Sequence, residues 1–299
     1  MTAGSIAFLG IGLMGAPMCL RVLRAGFTVR AWNRTTAKAE ALREHGVQAH
    51  ASLADAVRGA AVIISMLESG AVVNQVIDDA VAALTPGALW IDMSSTQHRE
   101  ALAFHARLVA GGCRFIDAPV SGGVAGAVAG TLAIMTGGAV DDFQQAETLL
   151  TAMGRPTLVG PVGSGQVAKL CNQLIVGATL NIVAEALLLA QAAGADPAAV
   201  RAAMRGGFAE SKILDMHGQR MLDRNFMPGG QVKSQLKDLR NVLLAAADAG
   251  VVLPVTALVT DAYASIANEH PRADQSAALL ALEKINPGQR LGAGPDQLP

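Results

Sequence analysis

The 299-residue sequence is poor in charged and aromatic side chains, which make up 16% and 3% of it. Positive and negative charges nearly cancel, giving a formal net charge of −1, and lysines and arginines form no basic run. A nucleic-acid-binding surface needs such a concentration of positive charge, so we expect no nucleic-acid partner. Disorder is not expected either, because disordered chains combine low hydrophobicity with high net charge.

Cysteine is scarce as well. Cys19, Cys113 and Cys171 are an odd number and widely spaced, and they match no metal-ligand pattern, so we expect no metal site. We interpret all three as reduced, buried thiols of a cytoplasmic protein. A basic leader is also lacking, since Thr2 is followed closely by an apolar strand pattern, and no secretory signal peptide is expected.

One long segment, residues 174–193, is almost wholly apolar. It nevertheless carries Asn181, Glu185 and Gln191, and polar groups are costly inside lipid. A helix that is apolar on all sides can instead be buried between protein domains. We therefore expect a buried helix and no membrane partner.

Hydrophobic residues, by contrast, are abundant at 52%, and the chain is long enough for two domains with separate cores. The first half alternates short apolar runs with helical patterns, which predicts right-handed crossovers and a mostly parallel sheet. The predicted strands cover residues 5–9, 28–32, 62–66, 89–93, 114–117, 131–136 and 156–159.

The second half shows only helical patterns, over residues 166–193, 197–205, 211–224, 236–249, 255–268 and 276–284. The predicted architecture is therefore an α/β N-terminal Rossmann-type domain, residues 1–162, and an all-α C-terminal domain, residues 163–299. A long interdomain helix, about 166–193, joins them. The tail, residues 286–299, is rich in glycine and proline, so we expect it to be flexible or to contact a partner subunit.

The first predicted strand leads into a glycine-rich loop that opens a helix. Gly10 permits the tight turn, Gly12 lets the backbone approach a pyrophosphate, and Gly15 allows close helix packing. The helix N-terminus adds free N–H groups and a positive dipole. In this βαβ position the pattern indicates a dinucleotide site; the alternative is a glycine-rich turn without a ligand. The loop residues predicted to bind the cofactor are Gly10, Ile11, Gly12, Leu13, Met14 and Gly15.

The end of the second predicted strand distinguishes NAD from NADP. An NAD site usually has a carboxylate there for the ribose 2′-hydroxyl, whereas this sequence has Asn33, Arg34 and Thr35. A guanidinium can bind a 2′-phosphate through two charge-assisted hydrogen bonds. These residues favour NADP(H), with NAD(H) still possible, because a solvated loop arginine is the alternative interpretation. Beyond later strands, the predicted cofactor-binding residues are Met66, Leu67 and Thr96.

Two further segments could supply catalytic groups. Ser121, Gly122 and Gly123 follow a strand and offer a hydroxyl and unshielded backbone N–H groups, which suit a substrate carboxylate. Without context the same segment could be a simple turn.

Lys169 and Asn172 are three residues apart in the long helix and share a face. Burial disfavours the charged form of a lysine, lowers its pKa and suits it to proton transfer. A lysine that reaches water at the helix start is an equally good interpretation by spacing alone. Gly165 would leave room for a ligand, and Cys171, with no histidine placed to activate it, is interpreted as a core thiol.

Four motifs together resemble the 3-hydroxyacid dehydrogenase family, which includes 3-hydroxyisobutyrate dehydrogenases and tartronate semialdehyde (2-hydroxy-3-oxopropionate) reductases. They lie in order at Gly10–Met18, Asp117–Gly123, Gly165–Asn172 and Lys237–Leu239. The resemblance implies an NAD(P)-dependent oxidoreductase acting on a CH–OH group, and a homodimer or homotetramer. It also implies that Lys169 is the catalytic acid/base, that Asn172 and the segment from Ser121 hold the substrate, and that Lys237 reaches toward substrate and nicotinamide.

Within the family, residues 204–214 and 217–221 are most similar to the tartronate semialdehyde reductase branch. Gly230 and Gln235 depart from that branch, which usually has an aromatic residue and a histidine there. A glycine-rich C-terminal pattern is reduced to Asp274 and Ser276. The alternatives that stay open are a 3-hydroxyisobutyrate dehydrogenase, a glyoxylate or succinic semialdehyde reductase and, from another class, an NADP-binding regulatory protein.

Overall fold

A computed structural model describes residues 5–299, and its chain divides into two units, of which the first ends at Lys169 and the second is Leu170–Pro299. The first unit is built on one nine-stranded sheet. Its strands are β1 (Ile6–Leu9), β2 (Val29–Trp32), β3 (Gln48–His50), β4 (Val62–Ser65), β5 (Leu89–Asp92), β6 (Arg114–Asp117), β7 (Val120–Ser121), β8 (Leu132–Gly137) and β9 (Gly154–Gly160).

Six strands of this sheet are parallel and follow the order β3-β2-β1-β4-β5-β6. The strand order reverses between β1 and β4, because β2 and β3 are added on one side of β1 and β4 to β6 on the other; ligands of such sheets bind beyond the carboxyl ends of the strands at that point. β8 then runs antiparallel to β6 and β7, and β9 runs parallel to β8. The two strands that the sequence did not predict, β3 and β7, have three and two residues.

Helices cover both faces of the sheet. They are α1 (Gly15–Arg24), α2 (Thr36–Glu40), α3 (Leu53–Val57), α4 (Gly70–Ala80), α5 (His98–Ala110), α6 (Gly123–Ala129) and α7 (Val140–Thr151). Because side chains alternate along a strand, β1 sends Phe8 into one apolar core and Leu9 into the other. Double coverage explains why β1, β4 and β5 are buried along their whole length.

The second unit is helical. After the long helix α8 (Ser164–Ala192) come α9 (Pro197–Met204), α10 (Lys212–Leu222), α11 (Val232–Asp248), α12 (Pro254–Ala267) and α13 (Ala278–Lys284). Its core contains Leu180, Leu187, Phe226, Leu239 and Tyr263. The predicted fold class, a Rossmann-type α/β domain followed by an all-α domain and joined by a long helix, is confirmed.

Helix α8 is long and apolar enough to cross a membrane, although core helices of soluble proteins meet the same criteria. One of its faces enters the core of the second unit, while Ile175, Ile182 and Leu189 on another face are exposed. Cys171 lies on that exposed face, so the expectation of a core thiol there is wrong; Cys19 and Cys113 are buried as predicted. Apolar composition on every side of a helix does not indicate which side packs.

The C-terminal tail differs from the flexible segment that its composition suggested. Arg224, 1% exposed, donates hydrogen bonds to the Glu283 and Asp296 carboxylates and, at 2.7 Å, to the backbone oxygen of Leu291. Gln297 accepts a 2.9 Å backbone hydrogen bond from Phe226. The tail is therefore held against the second unit by a buried cation that lies more than 60 residues earlier in the chain.

Candidate active site

The three fingerprint glycines are required for different reasons. Gly10 has a φ of +101°, and a Cβ there would lie 2.2 Å from the backbone oxygen of Met66. A Cβ on Gly15 would lie 1.9 Å from the backbone oxygen of Gly10, so α1 can approach β1 only with glycine. A Cβ on Gly12 would meet no protein atom within 4 Å. Packing thus explains Gly10 and Gly15, and Gly12 borders open space of the kind a pyrophosphate needs.

Asn33, just after β2, holds the glycine loop in place. Its Oδ1 accepts a 2.9 Å hydrogen bond from the backbone N–H of Ile11, and its Nδ2 donates a 3.0 Å bond to the backbone oxygen of Thr35. The neighbouring Arg34 is exposed and has no ion-pair or hydrogen-bond partner among the described residues. Asn33 therefore has a positioning role within the protein, while the Arg34 guanidinium can meet an anion. Leu13, in the loop itself, is 77% exposed.

The ends of β4 and β5 are tied together by side chains. The backbone N–H of Leu67, next to Met66, donates a 2.9 Å bond to Ser94 Oγ. Thr96 is buried, and its backbone N–H donates a 3.0 Å bond to Gln166 Oε1. The Thr96 backbone amide is therefore not available to a cofactor. The buried Thr96 hydroxyl has no hydrogen-bond partner within residues 5–299, which leaves it as the group that could meet a cofactor.

A buried carboxylate anchors the N-terminus of α8. Asp117 Oδ1 accepts a 2.7 Å bond from the backbone N–H of Gly163, and its Oδ2 accepts a 2.8 Å bond from that of Gln166. First-turn amides have no partner inside the helix, and negative charge there is stabilised by the helix dipole. Burial raises the pKa of Asp117, although the two backbone bonds act in the opposite direction.

Close packing at this helix start corrects the interpretation of Gly165. A Cβ there would lie 2.4 Å from the backbone oxygen of Met135 and 2.8 Å from Asp117 Oδ2, so the glycine makes room for β6 and β8 and not for a ligand. Gln166, fully buried, adds a 2.8 Å bond from its Nε2 to the backbone oxygen of Ser94. The first turn of α8 is thus fixed to the sheet edge.

Lys169 follows Gln166 by three residues and is 7% exposed. Its backbone position is set by the anchored first turn of α8. Burial of the residue disfavours the interpretation in which the side chain merely reaches bulk water. A buried lysine on a fixed backbone can hold and transfer a proton at a defined place.

A second buried carboxyl lies at the end of β5 and was not foreseen from the sequence. Asp92 Oδ1 accepts a 2.8 Å bond from Ser65 Oγ, which itself accepts a 2.9 Å bond from Trp90 Nε1. Asp92 Oδ2 is buried with no hydrogen-bond partner in the described part of the chain. Burial raises the pKa of Asp92 to about 7, in spite of the serine hydrogen bonds that lower it.

The predicted carboxylate-binding segment lies at the end of β7. Ser121 pairs with Ala133 of β8, and Gly122 and Gly123 have φ values of +135° and +62°. This backbone conformation strongly favours glycine. The segment opens α6, whose first-turn amides lack partners inside the helix and can donate to an acceptor outside it.

In the second unit, Asn172 and Lys237 belong to one hydrogen-bonded network. Asn172 Nδ2 donates a 2.9 Å bond to Gln173 Oε1, and Gln173 Nε2 donates a 2.8 Å bond to Asp238 Oδ2. Asp238 Oδ1 lies 3.2 Å from Lys237 Nζ. Gln235 supports this network from a buried position, because its Nε2 donates a 3.1 Å bond to the backbone oxygen of Gln173.

A sheet of this order with an open glycine loop is typical of a dinucleotide-binding domain. Residues 5–169 match the family model described as the NAD binding domain of 6-phosphogluconate dehydrogenase. Residues 163–282 match the one described as the NAD-binding domain of NADP-dependent 3-hydroxyisobutyrate dehydrogenase.

Individual relatives agree with the family models. The chain is 36% identical to the 2-hydroxy-3-oxopropionate reductase of Escherichia coli, covering 93% of this chain and 97% of the relative. It is 34% identical to a Pseudomonas aeruginosa 3-hydroxyisobutyrate dehydrogenase, covering 97% and 99%. The solved Mycobacterium tuberculosis 3-hydroxyisobutyrate dehydrogenase with L-serine superposes with a TM-score of 0.88 at 33% identity, covering 94% and 99%. The chain therefore belongs to the 3-hydroxyacid dehydrogenase family of NAD(P)-dependent oxidoreductases, as its motifs predicted.

Proposed function

We propose that the protein is an NADP(H)-dependent reductase of small 3-oxo acids, with 2-hydroxy-3-oxopropionate (tartronate semialdehyde) as its substrate. The observation that carries this proposal is the buried Lys169, one turn after the carboxylate-anchored start of α8. The E. coli relative of that name, at 36% identity, supports the choice of substrate.

In the proposed reaction, NADPH held by the glycine loop and by Asn33, Arg34 and Thr35 would supply a hydride to the aldehyde carbon. Lys169 holds a proton on Nζ and gives it to the aldehyde oxygen as the new C–H bond forms, which yields the alcohol. Acid catalysis of this kind contributes roughly 100- to 10,000-fold to the rate. Ser121 and the backbone N–H groups of Gly122 and Gly123 would bind the carboxylate, and Asn172 and Lys237 would orient the substrate.

The preference for NADP(H) rests on Arg34. Its exposed guanidinium directly follows Asn33, where an NAD site would carry a carboxylate for the ribose hydroxyl. A carboxylate would repel a 2′-phosphate, whereas a guanidinium attracts one. Asn33, Arg34 and Thr35 would therefore surround the phosphate, and the open space at Gly12 would take the pyrophosphate.

A cofactor and substrate screen tests this proposal. Oxidation of NADPH and of NADH is followed by absorbance over short 3-oxo acids and 2-hydroxy-3-oxo acids, together with the reverse oxidation of 3-hydroxyisobutyrate. We expect the highest kcat/KM with NADPH and 2-hydroxy-3-oxopropionate. Faster turnover of 3-hydroxyisobutyrate would favour the activity named for several relatives, and an NADH preference would overturn the Arg34 argument alone. Absence of all turnover with retained NADPH binding would indicate a regulatory protein.

We also propose a cytoplasmic homodimer or homotetramer in which a second copy covers the exposed face of α8. Ile175, Ile182 and Leu189 are 60%, 60% and 69% exposed and repeat every seven residues, the spacing of a helix–helix seam. Light scattering of detergent-free protein should show a dimer or tetramer, and Ile182→Glu should shift it toward monomer. A wild-type monomer, or recovery only with membranes, would contradict this assignment.

A further inference from the structure

We infer that Gln173 and Asp238 are positioning residues that fix the donor–acceptor sense of the Asn172 amide. Asn172 would then present its carbonyl oxygen to the substrate and accept a hydrogen bond from the hydroxyl next to the aldehyde carbon. The inference rests on the proposed function, since it names the substrate group that Asn172 recognises.

The sense of the network is set at its charged end. Asp238 is 7% exposed, and a carboxylate can only accept hydrogen bonds. Its Oδ2 lies 2.8 Å from Gln173 Nε2, and its Oδ1 lies 3.2 Å from Lys237 Nζ, so both oxygens have a donor. A reversed Gln173 amide would bring an oxygen against the buried carboxylate and leave it unsatisfied, which is costly. Gln173 therefore turns its Nε2 to α11.

Gln235 reinforces the same orientation. Its Oε1 accepts a 3.3 Å bond from Gln173 Nε2, and its own Nε2 donates a 3.1 Å bond to the Gln173 backbone oxygen. Gln173 Nε2 therefore faces two acceptors, Asp238 Oδ2 and Gln235 Oε1. Gln235 is 2% exposed and reaches α8 at Gly177, where a Cβ would lie 2.7 Å from Gln235 Nε2. The position therefore has little freedom to rearrange.

The orientation passes from Gln173 to Asn172. Gln173 Oε1 points away from Asp238 and accepts a 2.9 Å bond from Asn172 Nδ2. The Asn172 donor end is thus turned to Gln173, and the opposite end of its amide is the acceptor Oδ1. Asn172 shares a helix face with Lys169, three residues earlier. If Asn172 Oδ1 faces the substrate, it favours an aldehyde that carries a hydroxyl on the next carbon over one that lacks this hydroxyl.

The first arm of the test is kinetic. Asp238→Asn replaces a carboxylate, which can only accept, by an amide that can turn either its oxygen or its NH2 group to Gln173. The orientation of the Gln173 and Asn172 amides is then no longer fixed. The ratio of kcat/KM for 2-hydroxy-3-oxopropionate to that for 3-oxopropionate, which lacks the hydroxyl, should fall about tenfold, the effect of losing one hydrogen bond. Asp248→Asn, at an exposed position of the same helix, should leave the ratio unchanged.

A double variant separates orientation from general damage. Asn172→Asp alone places carboxylates on both sides of Gln173 and should lower kcat/KM for both aldehydes. Combined with Asp238→Asn, it allows a reversed network in which Gln173 donates to the new carboxylate, which still offers an acceptor to the substrate. The ratio should then recover toward wild type. Equal losses on both aldehydes in Asp238→Asn, or no recovery in the double variant, would overturn the inference.

The second arm does not depend on turnover. In wild-type protein the side-chain amide hydrogens of Asn172, assigned in NMR spectra by their loss in Asn172→Asp, should exchange slowly with solvent because Nδ2 is bonded to Gln173. Asp238→Asn should accelerate this exchange at least tenfold, and Asp248→Asn should not. Unchanged exchange in Asp238→Asn would overturn the inference. If wild-type protein reduced neither aldehyde, the proposed function would fail, whereas accelerated exchange would still support the role of Asp238.

Discussion

The two units position their functional residues by different means. In the first, the ends of parallel strands do so: the glycine loop and Asn33 follow two of these strands and Asp117 ends a third, and parallel strands bring their carboxyl ends to one edge. In the second, Asn172 depends on bonds from Gln173 to side chains of α11 more than 60 residues away. Strand ends keep the first set of residues together through the fold of the sheet, whereas the orientation of Asn172 depends on contacts between individual side chains.

This difference suggests how one fold can keep its cofactor and change its substrate. The glycine loop is constrained by backbone contacts, such as that between Gly10 and Met66, and tolerates little variation. Gln235 and its partners are held by amide and carboxylate side chains, which can be exchanged for other polar groups. We therefore expect substrate selection to depend mainly on the second unit, which the Asp238→Asn comparison tests, and the predictions below concern the first unit.

The largest effect is expected at Lys169, the last residue of the first unit. Lys169→Ala removes the proposed proton donor and should lower kcat at least 100-fold while the Kd for NADPH stays within about threefold of wild type. Steady-state kinetics and a fluorescence titration measure the two quantities. Lys233→Ala, at an exposed position on α11, is the matched control. Near-normal turnover of Lys169→Ala would exclude the lysine as the acid.

The next effect tests whether the Asp117 carboxylate, at the end of β6, places Lys169. Asp117→Asn retains one acceptor oxygen and loses the other, so either the Gly163 or the Gln166 amide is left unpaired. The free energy of unfolding should fall by about 1–3 kcal/mol, the cost of an unsatisfied buried group. We also expect kcat to fall by roughly tenfold, because a small displacement of a catalytic group is costly.

Urea unfolding and steady-state kinetics measure these two effects, with the exposed Asp141→Asn as the control. A lower unfolding free energy with unchanged kcat would show that Asp117 stabilises the fold without positioning Lys169.

The glycine loop offers a paired comparison of smaller effects on function. Gly12→Ala adds a methyl group where no protein atom lies within 4 Å, so stability should be kept while the Kd for NADPH rises by roughly tenfold. Gly15→Ala places a methyl group against the Gly10 backbone oxygen and should lower the free energy of unfolding by about 3 kcal/mol. Unchanged NADPH affinity in Gly12→Ala would mean that the cofactor does not approach the loop there.

The sequence predicts a residue's role where that role follows from local pattern. The glycine loop, the long helix and the all-α second half were predictable because their periodicity and spacing are short-range. Asp117, Gln166 and Gln173 were not, since their partners lie 46 to 72 residues away. Strands β3 and β7, with three and two residues, are too short for a hydrophobic pattern to be recognised in the sequence. The exposure of Cys171 depends on which face of α8 packs.

The smallest effect is the pH dependence of stability that the buried Asp92 of the first unit contributes. Burial holds the pKa of Asp92 at about 7 against an ordinary value of 3.8. Between these values the folded protein binds a proton that the unfolded chain releases, so stability falls as pH rises through this window. Asparagine does not titrate. Relative to wild type, the free energy of unfolding of Asp92→Asn should therefore rise by about 2 kcal/mol from pH 5 to pH 8.

Urea unfolding at the two pH values measures this difference. The exposed Asp79→Asn should show no comparable change between them. The neutral amide can still accept from Ser65 through its oxygen, so Asp92→Asn should keep most of its kcat, in contrast to Asp117→Asn, whose lost acceptor holds α8. If both variants lost kcat equally, the sheet edge as a whole would place Lys169, and the two carboxyls could not be assigned separate roles.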